Sequence, residues 1–268
     1  MKIIGEKING TRKRVAQAIT ERDTDFIQSL AQKQTEAGAT WLDVNAGTHP
    51  SREADDLIWL VETIQAVVDT PLCLDSANPK ALAEAAKAVN KTPMINSING
   101  EPERLEGILP LVVEHGCQVI ALAMGGKKMP ENTEARVDII HQVIAATRAA
   151  GIPDKSIYVD PLLMTVSTNI QSGMIACDTI RTLHQSYPEV HFTLGLSNIS
   201  FGLPARSYIN RAFLTLAMAA GLDSAILDPL DRELRAAILA AELVLGRDRH
   251  CLNYTRAFRA GVFDSTKN

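Results

Sequence analysis

The chain has 268 residues, of which 46% are hydrophobic and 22% are charged, and its formal net charge is −4. This mild acidity argues against a protein whose main task is to neutralise a nucleic-acid backbone. A (β/α)8 barrel needs roughly 250 residues, so one barrel would fill the chain, although two ordinary domains would also fit this length.

Short apolar runs alternate with longer amphipathic segments from the beginning of the chain to residue 245. Most of the short runs are flanked by Gly, Pro, Asn, Asp or Ser, which is typical of buried strands. In chain order, the predicted strands are Ile3–Ile8, Trp41–Val44, Pro71–Leu74, Pro93–Ile95, Gln118–Met124, Ile157–Val159, His191–Leu196 and Ser224–Leu227.

The segments between these strands carry apolar residues at helical spacing, and several of them end at a glycine. Strict alternation of strands and helices predicts a parallel sheet, and eight such units favour an α/β fold of the (β/α)8 TIM barrel type, with residues 1–268 in one domain. No Gly-rich nucleotide-binding motif interrupts the pattern. The glycines expected in left-handed conformations between a helix and the next strand are Gly38, Gly116, Gly151 and Gly221.

The N-terminal residues and the cysteines indicate the cellular compartment. Residues 1–14 turn polar after two isoleucines, so no signal peptide is expected, and no apolar run reaches the ~18 residues of a membrane span. The four cysteines form no C-x-x-C pair, which predicts buried or partly buried free thiols rather than disulfides or a zinc site. We therefore expect a cytoplasmic enzyme that binds neither membrane nor nucleic acid.

Polar side chains follow seven of the eight predicted strands, at the end of the barrel where active sites lie. Some of them must cap helices or turns, because Asp, Asn and Ser are common at such positions. So many of them around one mouth nevertheless favour a binding site. The polar positions are Glu6, Asn9, Asp43, Asn45, Asp75, Ser76, Asn78, Asn96, Ser97, Asn99, Asp160, Ser197, Asn198 and Asp228.

The residue types at this mouth limit its chemistry. The six histidines do not cluster at strand ends, and no phosphate-binding loop accompanies the carboxylates, so we expect no metal site. A flat polar heterocycle such as a pterin fits better. Its ring N3–H and 2-amino group are adjacent donors that one carboxylate accepts together, and Asn can match an edge that mixes donors and acceptors.

Six motifs, in order along the chain, resemble the pterin-binding methyltransferase family, and most closely its methyltetrahydrofolate:corrinoid protein methyltransferases. The similarity extends from Lys2 to about Cys251, and the folate module of cobalamin-dependent methionine synthase is a more distant relative. Each motif alone is weak, but the six together are specific. They are IIGEKING (Ile3–Gly10), LDVNAG (Leu42–Gly47), CLDSAN (Cys73–Asn78), MINSIN (Met94–Asn99), VDPL (Val159–Leu162) and GLSNIS (Gly195–Ser200).

The resemblance implies roles for individual residues. Asp75, Asn96 and Asp160 match the family's pterin-binding residues, and Asn198 matches an asparagine beside the N5 methyl group. Asn198 and Asp160 would then be the catalytic residues, with water completing the network. The remaining substrate-binding positions that the resemblance supplies are Arg206 in the loop after strand 7, Glu6 at the end of strand 1 and Asp43 at the end of strand 2.

The resemblance also implies the substrates and partners. The reaction would move a methyl group between methyltetrahydrofolate and the cobalamin of a separate corrinoid protein, and the enzyme would be a homodimer. The D-x-H-x-x-G signature of cobalamin-binding modules is absent, so we expect the cobalamin on the partner. No zinc or homocysteine module accompanies the predicted barrel, which argues against a complete methionine synthase.

One departure from the family leaves the direction of transfer open. After GLSNIS, acetogenic members continue with Gln, whereas this chain continues with the segment 201–204, Phe-Gly-Leu-Pro. That segment resembles the loop of methionine synthases and of enzymes that serve demethylating systems. Methylation of tetrahydrofolate by the corrinoid protein and the reverse reaction are therefore both compatible with the sequence.

Two other functions are alternatives. A dihydropteroate synthase-like enzyme would share the barrel and the pterin site, but it needs a late Ser-x-Arg motif, and the corresponding stretch here reads SAILDPLDRELR. A non-catalytic folate-binding subunit would not need Asn198, so the presence of this residue argues against it.

Overall fold

A computed structural model of the chain describes residues 1–126 and 129–263. Eight short strands alternate with helices through these residues. The strands are β1 (Lys2–Asn9), β2 (Trp41–Asn45), β3 (Leu72–Asp75), β4 (Met94–Ile98), β5 (Gln118–Leu122), β6 (Ile157–Asp160), β7 (His191–Phe192) and β8 (Ser224–Leu227). The helices are α1 (Lys13–Glu21), α2 (Thr24–Glu36), α3 (Glu53–Gln65), α4 (Pro79–Ala88), α5 (Pro102–His115), α6 (Thr133–Ala149), α7 (Ser172–Ser186), α8 (Arg206–Ala220), α9 (Arg232–Val244) and α10 (Leu252–Arg259).

All paired strands are parallel, and their order in the sheet is β7-β6-β5-β4-β3-β2-β1-β8. The residues beyond β7 close the ring against β8. The Ile226 amide donates to the Leu194 carbonyl at 2.9 Å, and Gly195 forms an isolated parallel bridge to Ile226. The predicted (β/α)8 TIM barrel is therefore confirmed.

The strands are buried because most of their residues are apolar. In β3 and β6 the first three residues are buried, and the strand ends in an aspartate that is less deeply placed. Helices cover the outer face of the sheet, so both faces of a strand must be apolar, as is usual in all-parallel sheets. The aspartates of β3 and β6 therefore lie at the carboxyl ends of these strands, at one mouth of the barrel.

Local sequence signals fix where several helices begin and end. Asn78 caps α4, with Pro79 as its first residue, and Asp231 caps α9 by accepting from the Leu234 amide at 2.9 Å. The four glycines predicted to be left-handed all have positive φ, between 61° and 123°. An L residue with a side chain would be strained at these angles, so the αβ-loop prediction is confirmed.

The structure departs from the sequence-based prediction in a few places. Helices α1 and α10 were not expected, and β7 has only two residues because the chain turns into the loop that carries GLSNIS. Three cysteines are buried free thiols, as predicted, but Cys251 is exposed, which corrects the expectation for that residue. Within the described residues, no helix is long and apolar enough to cross a membrane.

A polar and aromatic cluster fills the opposite, N-terminal mouth of the barrel. Lys2 Nζ donates to Tyr158 Oη at 2.6 Å and lies 5.6 Å from the centroid of the Trp41 ring. Tyr158 stacks on His191 at 4.6 Å between centroids, and His191 Nδ1 bonds the Asp223 carboxylate. The polar groups of this cluster are thus hydrogen-bonded to one another.

Candidate functional site

The ends of β2, β3 and β4 bring three of the predicted site residues together. Asp75 and Asn96 are register partners on neighbouring strands. Asn96 Nδ2 donates to Asp43 Oδ1 at 3.3 Å, and Asn45 Nδ2 donates to Asp75 Oδ2 at 2.8 Å. The carboxyl groups thus meet amide donors but no arginine or lysine within hydrogen-bonding distance.

This environment disfavours negative charge on the two aspartates. Burial, together with the nearby charge of Asp75, raises the pKa of Asp43 well above its ordinary value. Burial also raises the pKa of Asp75, although the Asn45 hydrogen bond and the positive charge of Arg104 oppose the rise. Ionising both Asp43 and Asp75 is unfavourable, because their like charges repel each other at low dielectric. A ligand that brings N–H donors would relieve the cost.

A pocket of about 320 Å³ opens beside these residues. Such a volume lies at the small end of the range for ligand sites. Arg104, which sequence reasoning missed, fixes one wall by donating to the carbonyls of Ser76 (2.8 Å), Ala77 (2.5 Å) and Ser97 (2.7 Å). The pocket is lined by Asp75, Ser76, Ala77, Asn96, Ser97, Asn99, Glu101, Arg104, Leu122 and Met124.

Asp160 ends β6, and its register partner on β5 is Leu122, which lines this pocket. The Leu162 amide donates to its carboxylate at 2.8 Å. Burial raises the pKa of Asp160 to about 6, and the Leu162 hydrogen bond and the charge of Arg136 limit the rise. Arg136, only 1% exposed, donates to the Pro161 carbonyl at 2.9 Å. Sequence reasoning missed Arg136, because a single arginine in an amphipathic helix carries no signal of its own.

Asn198 lies in a short 3₁₀ helix, Leu196–Ser200, directly after the closure of the barrel. Its side chain is exposed and has no hydrogen-bond partner among the described residues. The amide folds over Gly195, where a Cβ atom would lie 3.1 Å from Asn198 Nδ2. The glycine of the GLSNIS motif therefore leaves room for an amide that is available to a ligand.

Arg206 contacts the loop that carries Asn198. It is the first residue of α8, is exposed, and donates to the Ser197 carbonyl at 2.6 Å and to Ser200 Oγ at 3.0 Å. Its guanidinium carbon also lies 5.9 Å from the centroid of the Phe201 ring. These contacts fix the loop that carries Asn198.

Glu6 connects β1 to the same loop across the closure of the barrel. Its carboxylate accepts from Ser197 Oγ at 3.2 Å and from Arg12 at 2.7 Å. The neighbouring Lys7 pairs with Asp228 at the end of β8, at 2.5 Å. Both contacts hold the ends of the first and last strands at the mouth.

Other polar residues predicted at the mouth serve turns and helix ends. Asn9 Oδ1 accepts from the Thr11 amide, Asn78 caps α4, and Asn99 Oδ1 accepts from the Glu101 amide at 2.9 Å. The structure thus divides the predicted ring into local caps and a smaller group that faces the pocket. In residues 1–126 and 129–263, no cluster of three or more His, Cys, Asp or Glu side chains is arranged to hold a metal ion.

These features define a barrel whose C-terminal mouth carries buried carboxyl groups and side-chain amides. The model of the pterin binding enzyme family matches residues 5–228, and the chain belongs to this family. The family resemblance drawn from the six motifs is therefore confirmed.

Two relatives show which members of the family this chain resembles in sequence. The chain is 39% identical over 263 residues, 97% of both chains, to the methylcorrinoid:tetrahydrofolate methyltransferase of Eubacterium limosum. It is 32% identical over 237 residues to methionine synthase of Mycobacterium leprae, matching 84% of this chain and 20% of that protein. The chain therefore corresponds to about a fifth of a methionine synthase and to nearly the whole of the Eubacterium enzyme.

Solved structures show the same fold. The dihydropteroate synthase of Yersinia pestis, in complex with a sulfonamide drug, superposes with a TM-score of 0.69 over 91% of this chain and 94% of that one. The sequences are 20% identical, so this likeness concerns the barrel alone.

Proposed function

We propose that the protein is a methyltransferase that moves the N5 methyl group between methyltetrahydrofolate and the cobalamin of a separate corrinoid protein. The observation that carries the proposal is a pair of carboxyl groups with raised pKa values at one mouth: Asp75 lines the pocket, and Asp160 is the register partner of Leu122, which lines it too. The near full-length similarity to a methylcorrinoid:tetrahydrofolate methyltransferase supports the same reaction.

In this proposal Asp75, Asn96 and Asp160 hold the pterin ring, and Asp43 supports Asn96 from behind. A carboxylate accepts the pterin N3–H and 2-amino donors together, and those donors replace the missing positive partner of the buried acid. The Asn96 amide offers both a donor and an acceptor to the remaining edge. Binding of the substrate therefore lowers the electrostatic cost of ionising these buried carboxyl groups.

Asn198 acts at the reacting atom. When tetrahydrofolate is methylated, N5 forms a bond to the methyl carbon and loses its proton to solvent, while both electrons of the broken cobalt–carbon bond stay on the cobalt. In the reverse direction, N5 gains electron density as the carbon–nitrogen bond breaks. Both directions share one transition state, which a hydrogen-bond donor beside N5 stabilises. The free Asn198 amide supplies that donor, and Arg206 and Glu6 position its loop. The corrinoid, when it is bound, supplies the cobalt that exchanges the methyl group with N5.

The name of the Eubacterium relative gives methylcorrinoid as the methyl donor and tetrahydrofolate as the acceptor. We extend that direction to this chain. The Phe201–Pro204 segment, which differs from the acetogenic pattern, is consistent with it. We also propose a cytoplasmic homodimer whose subunit is one domain over residues 1–268, which light scattering of the purified protein and limited proteolysis would check.

The proposal is tested by mixing the protein anaerobically with methylcobalamin and tetrahydrofolate and measuring 5-methyltetrahydrofolate. We expect protein-dependent, saturable formation of this product. A protein that binds tetrahydrofolate but forms no product with methylcobalamin or with a methylated corrinoid protein would be a folate carrier. Formation of dihydropteroate from a pterin diphosphate and p-aminobenzoate would instead favour the synthase alternative.

A further inference from the structure

Large hydrophobic side chains are exposed on one side of the barrel mouth. Among the described residues, five of them follow β5, β6 or β7, in the loop or the first turn of the next helix, and none follows another strand in this way. A grouping of this kind marks an interaction surface, whereas single exposed apolar residues are ordinary. The five are Met129 (48% exposed), Ile170 (83%), Met174 (49%), Phe201 (68%) and Tyr208 (70%).

The loops after β6 and β7 are joined into one unit. Thr165 Oγ1 and Ser167 Oγ both donate to the Phe201 carbonyl, at 2.7 and 3.1 Å. The Val166 amide donates to the Ile199 carbonyl at 3.0 Å. We call residues 164–171 and 199–203 together the loop platform. Its exposed apolar side chains are thus displayed on an ordered backbone.

The chemistry of the loop platform suits a large neutral ligand. Its sequences, MTVSTNIQ and ISFGL, contain no charged residue. Exposed Thr168 and Gln171 flank Ile170, so hydroxyl and amide groups surround an apolar centre. A corrin ring presents an apolar face fringed by carboxamide side chains, which such hydroxyl and amide groups can bind through hydrogen bonds. The pterin pocket, by contrast, is lined by Arg104 and Glu101.

We propose that the loop platform is the surface that binds the corrinoid ring, and that Ile170 and Phe201 make the apolar contacts with it. This inference rests on the proposed function and assigns a surface to its second substrate. Asn198 directly precedes the platform segment 199–203 and is exposed. A ring placed on the platform therefore stands next to the amide that we assign to N5.

The test uses free methylcobalamin as the probe with the variants Ile170→Ser and Phe201→Ser. Both side chains are exposed, so folding is expected to be unaffected, and Val244→Ser and Phe258→Ser are matched controls that are also exposed but far along α9 and α10. We expect each platform variant to raise the KM for methylcobalamin about tenfold, the scale of losing one apolar contact. Tetrahydrofolate affinity, measured by calorimetry, should be unchanged in Ile170→Ser, the variant that keeps the Arg206–Phe201 contact.

Equilibrium dialysis against methylcobalamin without tetrahydrofolate examines the platform independently of catalysis. We expect weak binding that the platform variants reduce about tenfold and the controls leave unchanged. Equal dissociation constants in all four variants and the wild type, or no binding by the wild type, would overturn the platform assignment. Platform-dependent binding without methyl transfer would support the platform and overturn the proposed reaction instead.

Discussion

The two mouths of the barrel are built from the same strands but treat polar groups in opposite ways. At the N-terminal mouth, Lys2, Tyr158, His191 and Asp223 are paired with one another. At the C-terminal mouth, burial raises the pKa of Asp160 to about 6, and the pKa values of the neighbouring aspartates are raised as well. Burial also lowers the pKa of Lys2, but Lys2 is hydrogen-bonded within its own cluster. Among the described residues, Asp43, Asp75 and Asp160 accept no hydrogen bond from a lysine or arginine.

Strand β6 shows the contrast within one segment. Tyr158 belongs to the filled mouth and Asp160, two residues later, to the open one. An ionised buried acid that accepts no hydrogen bond from a cation destabilises the folded chain, and we infer from its presence a site that a ligand completes. We therefore expect substitutions at the C-terminal mouth to affect function first and those at the N-terminal mouth to affect stability alone.

The largest effect is expected for Asn198→Ala. Since its amide acts on an atom whose charge changes during transfer, its loss should slow single-turnover methyl transfer about 10- to 1000-fold at saturating tetrahydrofolate. Stopped-flow absorbance of the cobalamin measures this rate. A folded Asn198→Ala protein that transfers methyl groups at the wild-type rate would show that the amide only shapes the loop.

Asp75→Ala should weaken tetrahydrofolate binding. It leaves pterin donors without an acceptor, at a cost of about 1–3 kcal/mol, or about 10- to 100-fold in the dissociation constant. Calorimetric titration measures this change, and Asp25→Ala, in the first turn of α2 and outside the mouth, is the control. Wild-type affinity in Asp75→Ala would remove this residue from the binding site.

Asp160→Asn should make the protein more stable above about pH 6. The carboxyl group has a pKa of about 6 when folded against an ordinary value of 3.8, so the folded chain binds its proton more tightly. The free energy of unfolding therefore falls as pH rises between these values. The variant lacks this pH-dependent loss of stability, which is on the order of 3 kcal/mol.

Urea unfolding at about pH 4 and about pH 8 checks this sign, because the difference between the proteins should be present only at the higher pH. Asp154→Asn is a control with the opposite sign, since the hydrogen bond from Arg148 lowers the pKa of Asp154. Lower stability of Asp160→Asn at the higher pH would contradict the assignment of a strained acid.

The smallest effect is expected for Tyr158→Phe at the N-terminal mouth. The change removes the acceptor of the Lys2 hydrogen bond while keeping the ring that stacks on His191. Stability should fall by about 1 kcal/mol, and tetrahydrofolate affinity and methyl-transfer rate should not change. A matching loss of affinity would mean that the two mouths are coupled, and the contrast between them would have to be abandoned.

The strands and most of the acids at their ends were predictable from sequence because seven of the eight apolar runs are followed by polar residues. Asp75, Asn96 and Asp160 directly follow their runs, Asp43 lies one residue before the end of its run, and the structure places these residues at one mouth. The contacts of Arg206 could not be predicted from the sequence. Its motif position indicates the loop after β7, but only the structure shows that the side chain binds that loop's own carbonyl and hydroxyl groups.

Arg104 and Arg136 were not predictable, since both lie in helices whose sequence pattern records only an amphipathic face. They reach the site through backbone carbonyls of loops that the chain brings near them in three dimensions. Likewise, sequence alone could not separate helix caps such as Asn78 from residues that face the pocket. Both kinds follow a strand directly, and only the direction of the side chain distinguishes them.

The central claim is that an unpaired buried acid at the C-terminal mouth receives the pterin. Calorimetric titration with tetrahydrofolate at about pH 5.5, in buffers that differ in ionisation enthalpy, counts the protons released on binding. Because pterin donors favour the ionised carboxyl group, the wild type should release a large fraction of one proton more than Asp160→Asn does. Equal proton release by the two proteins would contradict the claim.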